Sequence, residues 1–430
     1  PGKPSRPGSR RSIWPPPGRA RIGLMRILFL TSRMPYPPVG GDRFRVFHIL
    51  RTAVEAGHSV HLITFDTHAR DPVELAPLER LAESVDVVPL PLPLSWLRSA
   101  QALPTRFPLQ AAYYQSRRMR DRVDEAIRRI RPHAVYTHLF RMAPYALPHM
   151  SRPGTRWILD MTDVISAGME RSLPYRTGPD LWLHRMEERR IRNFEARVAP
   201  RFDECWVISQ REARHLAALA PSSRIRVVPN GIGPERFRPR ASRTKGRLLF
   251  LGFHEVFHNK DAVRFLVQEI FPRVRAAVPE ATLDIAGKGS EALGAWARGP
   301  GVRVLGFVDD LEETLMDAAV FVAPHRFAAG VQNKVLQSLA SGTPVVTTPS
   351  VRVGLEPIPE GVMRVSDDAD GIAAEVVALL RDPAAAAAQG ARASLWVRNQ
   401  FSWRVSLHAL EAIRRPAEPE TIPARAAQVV

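Results

Sequence analysis

The sequence predicts an α/β protein built from two doubly wound parallel-sheet domains that face each other across a central cleft. Three observations predict it. Apolar runs of strand length alternate with segments of helical period along most of the chain. Glycines stand where several of those runs end, which is where parallel sheets bind ligands. The chain has 430 residues, more than one ordinary core accommodates.

In chain order, R-I-L-F-L-T at 26–31 is continuously apolar, as a strand buried on both faces must be. It is followed by Gly40-Gly41, a helix-period segment closed by Gly57, and a second strand, V-H-L-I-T-F. This β-α-β unit lacks the third glycine of the dinucleotide fingerprint. Further strands are predicted at 86–90, 134–137, 157–160 and 205–209, and R-I-R-V-V-P-N-G-I at 224–232 reads as a strand ending in an Asn-Gly turn. The helix at 182–198 is dense in charge and reads as mostly solvated, with Leu183, Met186, Ile191, Phe194 and Val198 as its buried stripe. Residues 91–120 are rich in Pro, Arg and aromatics and suit a packed surface loop, an acceptor contact or a lipid headgroup layer. His138 follows the strand A-V-Y-T, and Asp163 lies three residues past Asp160 at the end of another strand.

A second series follows a linker at 238–246: strands at 247–252, 281–287 and 302–308, with a helix at 261–278 between the first two and a short one at 311–317 after the third. Gly252 and Gly287 stand at strand exits. The stretch 322–347 then reads as strand end, polar loop closing on Gly330, helix over 331–340, stop at Gly342-Thr343-Pro344, and strand. First-turn N–H groups of such a helix lack intrahelical partners and, with the helix dipole, favour an anion. Lys334 adds a positive charge there, so the loop suits a diphosphate. The last predicted helix spans 391–413.

Composition bounds the function. Hydrophobic content of 45% with 24% charged residues is that of a soluble globular protein, and no apolar run approaches the length of a membrane span. Residues 1–24 hold six basic residues, six prolines and no acid, a composition that cannot build a core, and the expectation is that translation starts at Met25. The formal charge of +18 falls to +12 without them. That excess suits an anionic membrane surface or an anionic small substrate, or is a solvated face; no nucleic-acid recognition module is readable. The single cysteine, Cys205, has no partner for a disulfide, which fits a reducing cytoplasm. No His/Cys/Asp cluster has metal-ligand spacing, so no metal is expected.

With these residues in view, the chain resembles glycosyltransferase family 4 and its relatives of the GT-B fold. The resemblance is carried by Gly40-Gly41, His138 after Y-T, V-V-P-N-G-I, L-G-F-H-E-V-F-H-N-K-D-A-V, V-L-G-F-V-D-D and N-K-V-L-Q-S-L-A-S-G-T-P-V-V, and it covers roughly residues 25–413. Within the family it is most similar to sugar transferases of exopolysaccharide and exosortase systems. It implies an acceptor-side Rossmann-like domain at 25–235, a nucleotide-sugar-binding domain at 236–400, and a helix at 401–415 crossing back to the first domain, with a leader at 1–24 and a frayed tail at 416–430.

The implied activity is retaining, metal-independent transfer of a hexose from a nucleoside-diphosphate sugar to a glycan or lipid-linked acceptor, without a cofactor, in the cytoplasm or at the inner face of the plasma membrane. The resemblance puts Gly40 and Gly41 at the donor diphosphate or the transferred sugar, His138 at the reacting sugar, backbone groups of Phe307 and Val308 at the base, Gly330, Val331 and Lys334 at the phosphates, and Gln337 at the ribose. Lys260, one residue out of register with a family lysine whose place Asn259 takes, shares the phosphate charge with Lys334 and Arg326, and Gly252 lies at the same strand exit; Asp163, from its place at a strand end, is a further substrate-binding candidate. Two departures stand out. Ala329 occupies the place of a family glutamate, leaving His325 or Arg326 to supply that contact, and Phe253 occupies the place of an arginine. A nucleotide-sugar epimerase and a non-catalytic nucleotide-sugar-binding protein are the alternative readings.

Overall fold

The computed structural model describes residues 25–38, 41–67, 72–233, 237, 243–327, 331–401, 403, 408 and 409. The leader at 1–24, residues 238–242 of the linker expected at 238–246, the tail at 416–430 and the candidate residues Gly40 and Gly330, with Ala329, lie outside them, and the end of that linker is strand, from Thr244 on.

The first lobe is a seven-stranded sheet: β1 (Arg26–Thr31), β2 (Ser59–Asp66), β3 (Ser84–Pro89), β4 (Ala134–His138), β5 (Arg156–Thr162), β6 (Glu204–Val207) and β7 (Ile225–Val227), in the order β3-β2-β1-β4-β5-β6-β7. The second is a six-stranded sheet of β8 (Thr244–Leu251), β9 (Thr282–Ala286), β10 (Val302–Gly306), β11 (Ala318–Ala323), β12 (Val345–Thr347) and β13 (Arg364–Val365), in the order β10-β9-β8-β11-β12-β13. Every ladder is parallel. Both sheets are therefore covered by helices on two faces, and alternate residues feed separate cores. Leu28 and Leu30 enter one core of the first lobe and Ile27 and Phe29 the other, while Leu249 and Leu251 oppose Leu248 and Phe250 in the second. The strand order reverses between β1 and β4, and again between β8 and β11. These are the switch points where doubly wound sheets open a crevice at their carboxyl ends.

Several predicted elements are corrected. The helix expected at 261–278 begins at Phe257 and carries a π-helical turn at Leu266–Ile270. The helix expected at 331–340 begins at Asn333. The strand at 224–232 is reduced to Ile225–Val227, because the chain then leaves for the second lobe. The helix expected at 391–413 begins earlier, as Pro383–Gln400, started by the Asp382 side chain accepting from Ala385 N–H (2.9 Å); of the crossing helix expected at 401–415, Trp403, His408 and Ala409 are helical and residues 402, 404–407 and 410–415 lie outside the described residues. Beyond Gln400 the chain returns to the first lobe, where Trp403 stacks on His48 (4.6 Å, 13°) and Ala409 joins the core with Ile27. The segment at 91–120 is mainly helical, with Leu92–Ala102 and Leu109–Tyr113 preceding Arg117–Ile130.

The largest correction concerns Gly178–Val198, whose charged face is not simply solvated. Leu183 is exposed, whereas Glu187, Glu188 and Glu195 are buried. Glu187 accepts both Leu109 N–H and Gln110 N–H (2.9 Å each). Glu195 accepts Ile165 N–H (2.9 Å), Ser166 N–H (3.3 Å) and the Ser166 hydroxyl (2.5 Å). The two carboxylates thus satisfy the open N-termini of two neighbouring helices, which also favour negative charge.

Candidate active site

At the first switch point, β4 delivers His138 to the crevice with only 2% of its surface exposed. Its ring lies parallel to Tyr136, and Nε2 is 3.4 Å from Thr162 Oγ1. Thr162 sits at φ +59°, pinned there because its N–H and hydroxyl both donate to Asp160 Oδ1 (2.8 and 3.3 Å). Leu139, directly after His138, is at φ +67°. Left-handed backbone at two non-glycine residues of one crevice is strain held by its surroundings, a feature that clusters at working sites. Burial draws the His138 pKa down to about 4 against the pull of Asp160 and Asp42, so the imidazole is neutral at pH 7.

Beneath His138 lies a fully buried ion pair. Arg45 Nε donates to Asp160 Oδ2 (2.7 Å), and the same oxygen accepts the Tyr136 hydroxyl. Arg45 Nη1 donates to Val228 O (2.7 Å) and to Asn230 Oδ1 (3.0 Å). Asn230 Nδ2 then donates to Asn333 Oδ1 (2.8 Å) on the second lobe. Asn333 opens the helix Asn333–Ala340, and a methyl group on Gly41 would lie 3.6 Å from its Nδ2. One polar chain therefore runs from the histidine crevice to the helix that sequence marked for a diphosphate.

Beside the second switch point, the exits of β8 and β9 approach each other closely. Gly287, at φ +128°, faces Gly252 so tightly that a methyl group there would lie 1.8 Å from Gly252 O. Asn259 is locked behind them, donating to Phe253 O (2.9 Å) and meeting His325 Nε2 at 3.0 Å. Burial lowers the His325 pKa to about 3, helped by neighbouring His258. The Asn333 helix has no side-chain N-cap. Lys334, half-buried on its first turn, has its pKa drawn down to about 8 by burial, with Glu312 opposing. Gln337 lies on the same helix with its Oε1 sealed from solvent and without a hydrogen-bond partner. Val331 is buried in the core beneath, Phe307 is 59% exposed after β10, Val308 packs partly against the core, and Lys260 is half-buried.

Two expectations change. Arg326 is not a free cation, because it is paired with Asp261 through two nitrogens and lies over Tyr175 and Phe265. Asp163 belongs to an ion cluster of Glu212, Arg171 and Arg211, where burial and Glu212 raise its pKa. Arg211 in turn donates to Ser350 O (3.1 Å) of the second lobe. Tyr175 stacks on Phe327 (4.4 Å) and Arg176 lies 4.4 Å over Phe257, closing another contact between lobes. Each of these contacts joins segments that follow strand carboxyl ends, so the two crevices face one another. Sequence reading missed Arg45, Asn230, Asn333 and Tyr175. Arg45 carried a legible signal as a cation on the apolar stripe of F-R-V-F-H-I-L. Among the described residues no group of three His, Cys, Asp or Glu side chains is placed to hold a metal ion.

Two facing Rossmann-like lobes with their crevices opposed define the GT-B class. Residues 40–231 match the family described as Glycosyl transferase 4-like domain, and residues 245–382 match Glycosyl transferases group 1. The chain belongs to the GT4-like glycosyltransferases. It is 30% identical over 193 residues to a phosphatidyl-myo-inositol mannosyltransferase of Mycolicibacterium smegmatis, a match spanning 41% of this chain and about half (48%) of that protein. Among solved structures it is similar to sucrose-phosphate synthase from Thermosynechococcus elongatus (TM-score 0.69, 17% identity, 90% of this chain and 98% of that one). It is also similar to Anabaena HepE in complex with UDP and glucose (TM-score 0.64, 14% identity, 90% and 99%), and to WaaG, a glycosyltransferase involved in lipopolysaccharide biosynthesis (TM-score 0.61, 16% identity, 91% and 100%). At these identities the structural likeness speaks for the fold.

Proposed function

We propose that the protein transfers a hexose from a nucleoside-diphosphate sugar to a glycan or lipid-linked acceptor, with retention at the anomeric carbon and without a metal ion. The observation that carries this reading is the approach of Gly41 and the His138 crevice to the uncapped Asn333 helix through Asn230. The donor diphosphate would lie at that helix, held by first-turn N–H groups and by Lys334, which is charged at pH 7. Gln337 would accept a hydrogen bond from a ribose hydroxyl on its unpartnered oxygen, and exposed Phe307 would flank the base. Neutral His138 would hydrogen-bond the transferred sugar.

In the reaction the bond from the anomeric carbon to the β-phosphate oxygen breaks, its electron pair leaving on the phosphate. A bond to the acceptor oxygen forms on the same face, and the acceptor proton passes to the departing phosphate. Lys334 and the helix terminus stabilise the growing phosphate charge. No helix among the described residues is long and apolar enough to cross a membrane, and we assign the work to the cytoplasmic side, where nucleotide sugars are made.

The test begins with thermal shifts across UDP-, GDP-, ADP- and CMP-sugars, in which one nucleotide class is expected to stabilise the protein selectively. The preferred donor is then assayed for transfer and hydrolysis with wild type, His138→Ala and Lys334→Ala. Equal turnover in all three discards the residue assignments, a rearranged sugar formed without an acceptor identifies an epimerase, and no stabilisation by any nucleotide sugar discards the function.

A further inference from the structure

A cavity of about 590 Å³ opens at the carboxyl ends of β1, β2 and β3, with Arg43, two residues past Gly41, in its lining. Its polar wall carries Arg33, Arg43 and Arg141, and Asp66 is the carboxylate among its described lining residues. Asp66 is already occupied, accepting Thr67 N–H (2.8 Å). Arg33 and Arg141 are close enough to repel one another, and both draw on one carboxylate, Asp42, which pairs directly with Arg33 (3.3 Å). Arg141 lies over the Tyr114 ring (5.3 Å), and its Nε is sealed from solvent without a hydrogen-bond partner. The hydroxyl of Ser32, on the same wall, is likewise buried and unpartnered. An unpartnered guanidinium N–H and an unpartnered hydroxyl beside crowded cations are what an anion would satisfy.

The other wall is apolar. It includes Leu90, Leu109, Tyr113 and Trp96, and Trp96 belongs to the helix Leu92–Ala102, which also exposes Leu92, Leu94 and Leu97 by 40%, 40% and 53%. Trp96 itself is 67% exposed. The apolar lining thus continues outward as an uncovered stripe, so a ligand here has a charged end inside and a hydrocarbon end leading to the surface.

We infer that this cavity is the acceptor site and that the acceptor is a lipid phosphate, its phosphate on Arg33, Arg141 and Ser32 and its hydrocarbon chain along Trp96 and Leu97. The inference rests on the transferase reading, since Asp42 directly follows Gly41 and its charge is felt at both His138 and Arg141. Bound in this way, the acceptor would lie beside the sugar to be transferred.

The test uses the full chain and calorimetric titration with citronellyl phosphate, citronellol and glucose 1-phosphate. Citronellyl phosphate is expected to bind at least about tenfold more tightly than either of the others, with affinity falling as salt rises. Arg141→Met and Arg33→Met are each expected to lose about tenfold or more for the phosphate and nothing for the alcohol. Trp96→Ala is expected to weaken both lipids equally. Arg33 is 53% exposed, so its variant remains informative if Arg141→Met fails to fold. Equal affinity for citronellol and its phosphate, equal affinity for glucose 1-phosphate, or an unchanged Arg33→Met overturns the assignment. The nucleoside diphosphate found by thermal shift is titrated into each variant in parallel. If it binds unchanged while the lipid phosphate does not bind, only the acceptor site fails; if the lipid phosphate binds and no nucleotide does, the transferase reading fails instead.

Discussion

Replacing Arg45 by methionine isolates the polar chain between the lobes. Both members of the Arg45–Asp160 pair are fully buried, and removing one partner of such a pair costs about 3–5 kcal/mol because the other charge stays behind. Asp160 is not left bare, since it keeps the Tyr136 hydroxyl and the Thr162 N–H and hydroxyl. That places the charge term near the lower end, about 3 kcal/mol. Val228 O and Asn230 Oδ1 also lose their shared donor, which adds about 1 kcal/mol. Urea unfolding followed by a first-lobe probe is expected to lose about 4 kcal/mol, a midpoint shift of about 1–2 M. Adding Asp160→Asn removes the stranded charge, so the double variant is expected to be less destabilised than the two single changes sum to, by more than about 1.5 kcal/mol. With Asn230 released from Arg45, its hold on Asn333 loosens and nucleotide affinity falls as well. A loss below about 1 kcal/mol, or strict additivity in the cycle, would refute the view that a buried charge pair organises this crevice.

Two further predictions follow from the titrating groups. Nucleoside diphosphate affinity is expected to fall as pH rises above about 8, where Lys334 gives up its proton, and this fall is expected to vanish in Lys334→Met; titrations from pH 7 to pH 9.5 check both. Burial raises the Glu195 pKa from 4.5 to about 7, against the Ser166 hydroxyl and N–H bonds that favour the carboxylate. The unfolded chain therefore releases this proton first. The stability that Glu195 contributes is complete below pH 4.5 and lost as pH rises to about 7, so Glu195→Gln is expected to gain on wild type across that window by up to about 3 kcal/mol, measured by urea unfolding at each pH.

Most strands, the two-sheet organisation and the glycines at the switch points were legible in the sequence. A strand buried on both faces must be apolar throughout, and a chain crossing between two such strands needs a helix, so the pattern repeats locally and can be read locally. The helix that carries Lys334 was legible for the same reason, within two residues of its observed start. What the sequence could not contain is which charges are buried. Glu187 and Glu195 look like any others in a run of Glu and Arg, and they are buried because the N-termini of helices tens of residues away arrive beside them. Arg326, in the loop after β11, reads as available cation until Asp261 is brought against it from the helix that begins at Phe257. Arg45, Asn230 and Asn333 form one chain only after three distant segments meet. Local patterns follow from each residue's own backbone and hydrophobicity, whereas the partner that makes a buried charge tolerable comes from elsewhere in the chain, and only the tertiary structure decides it.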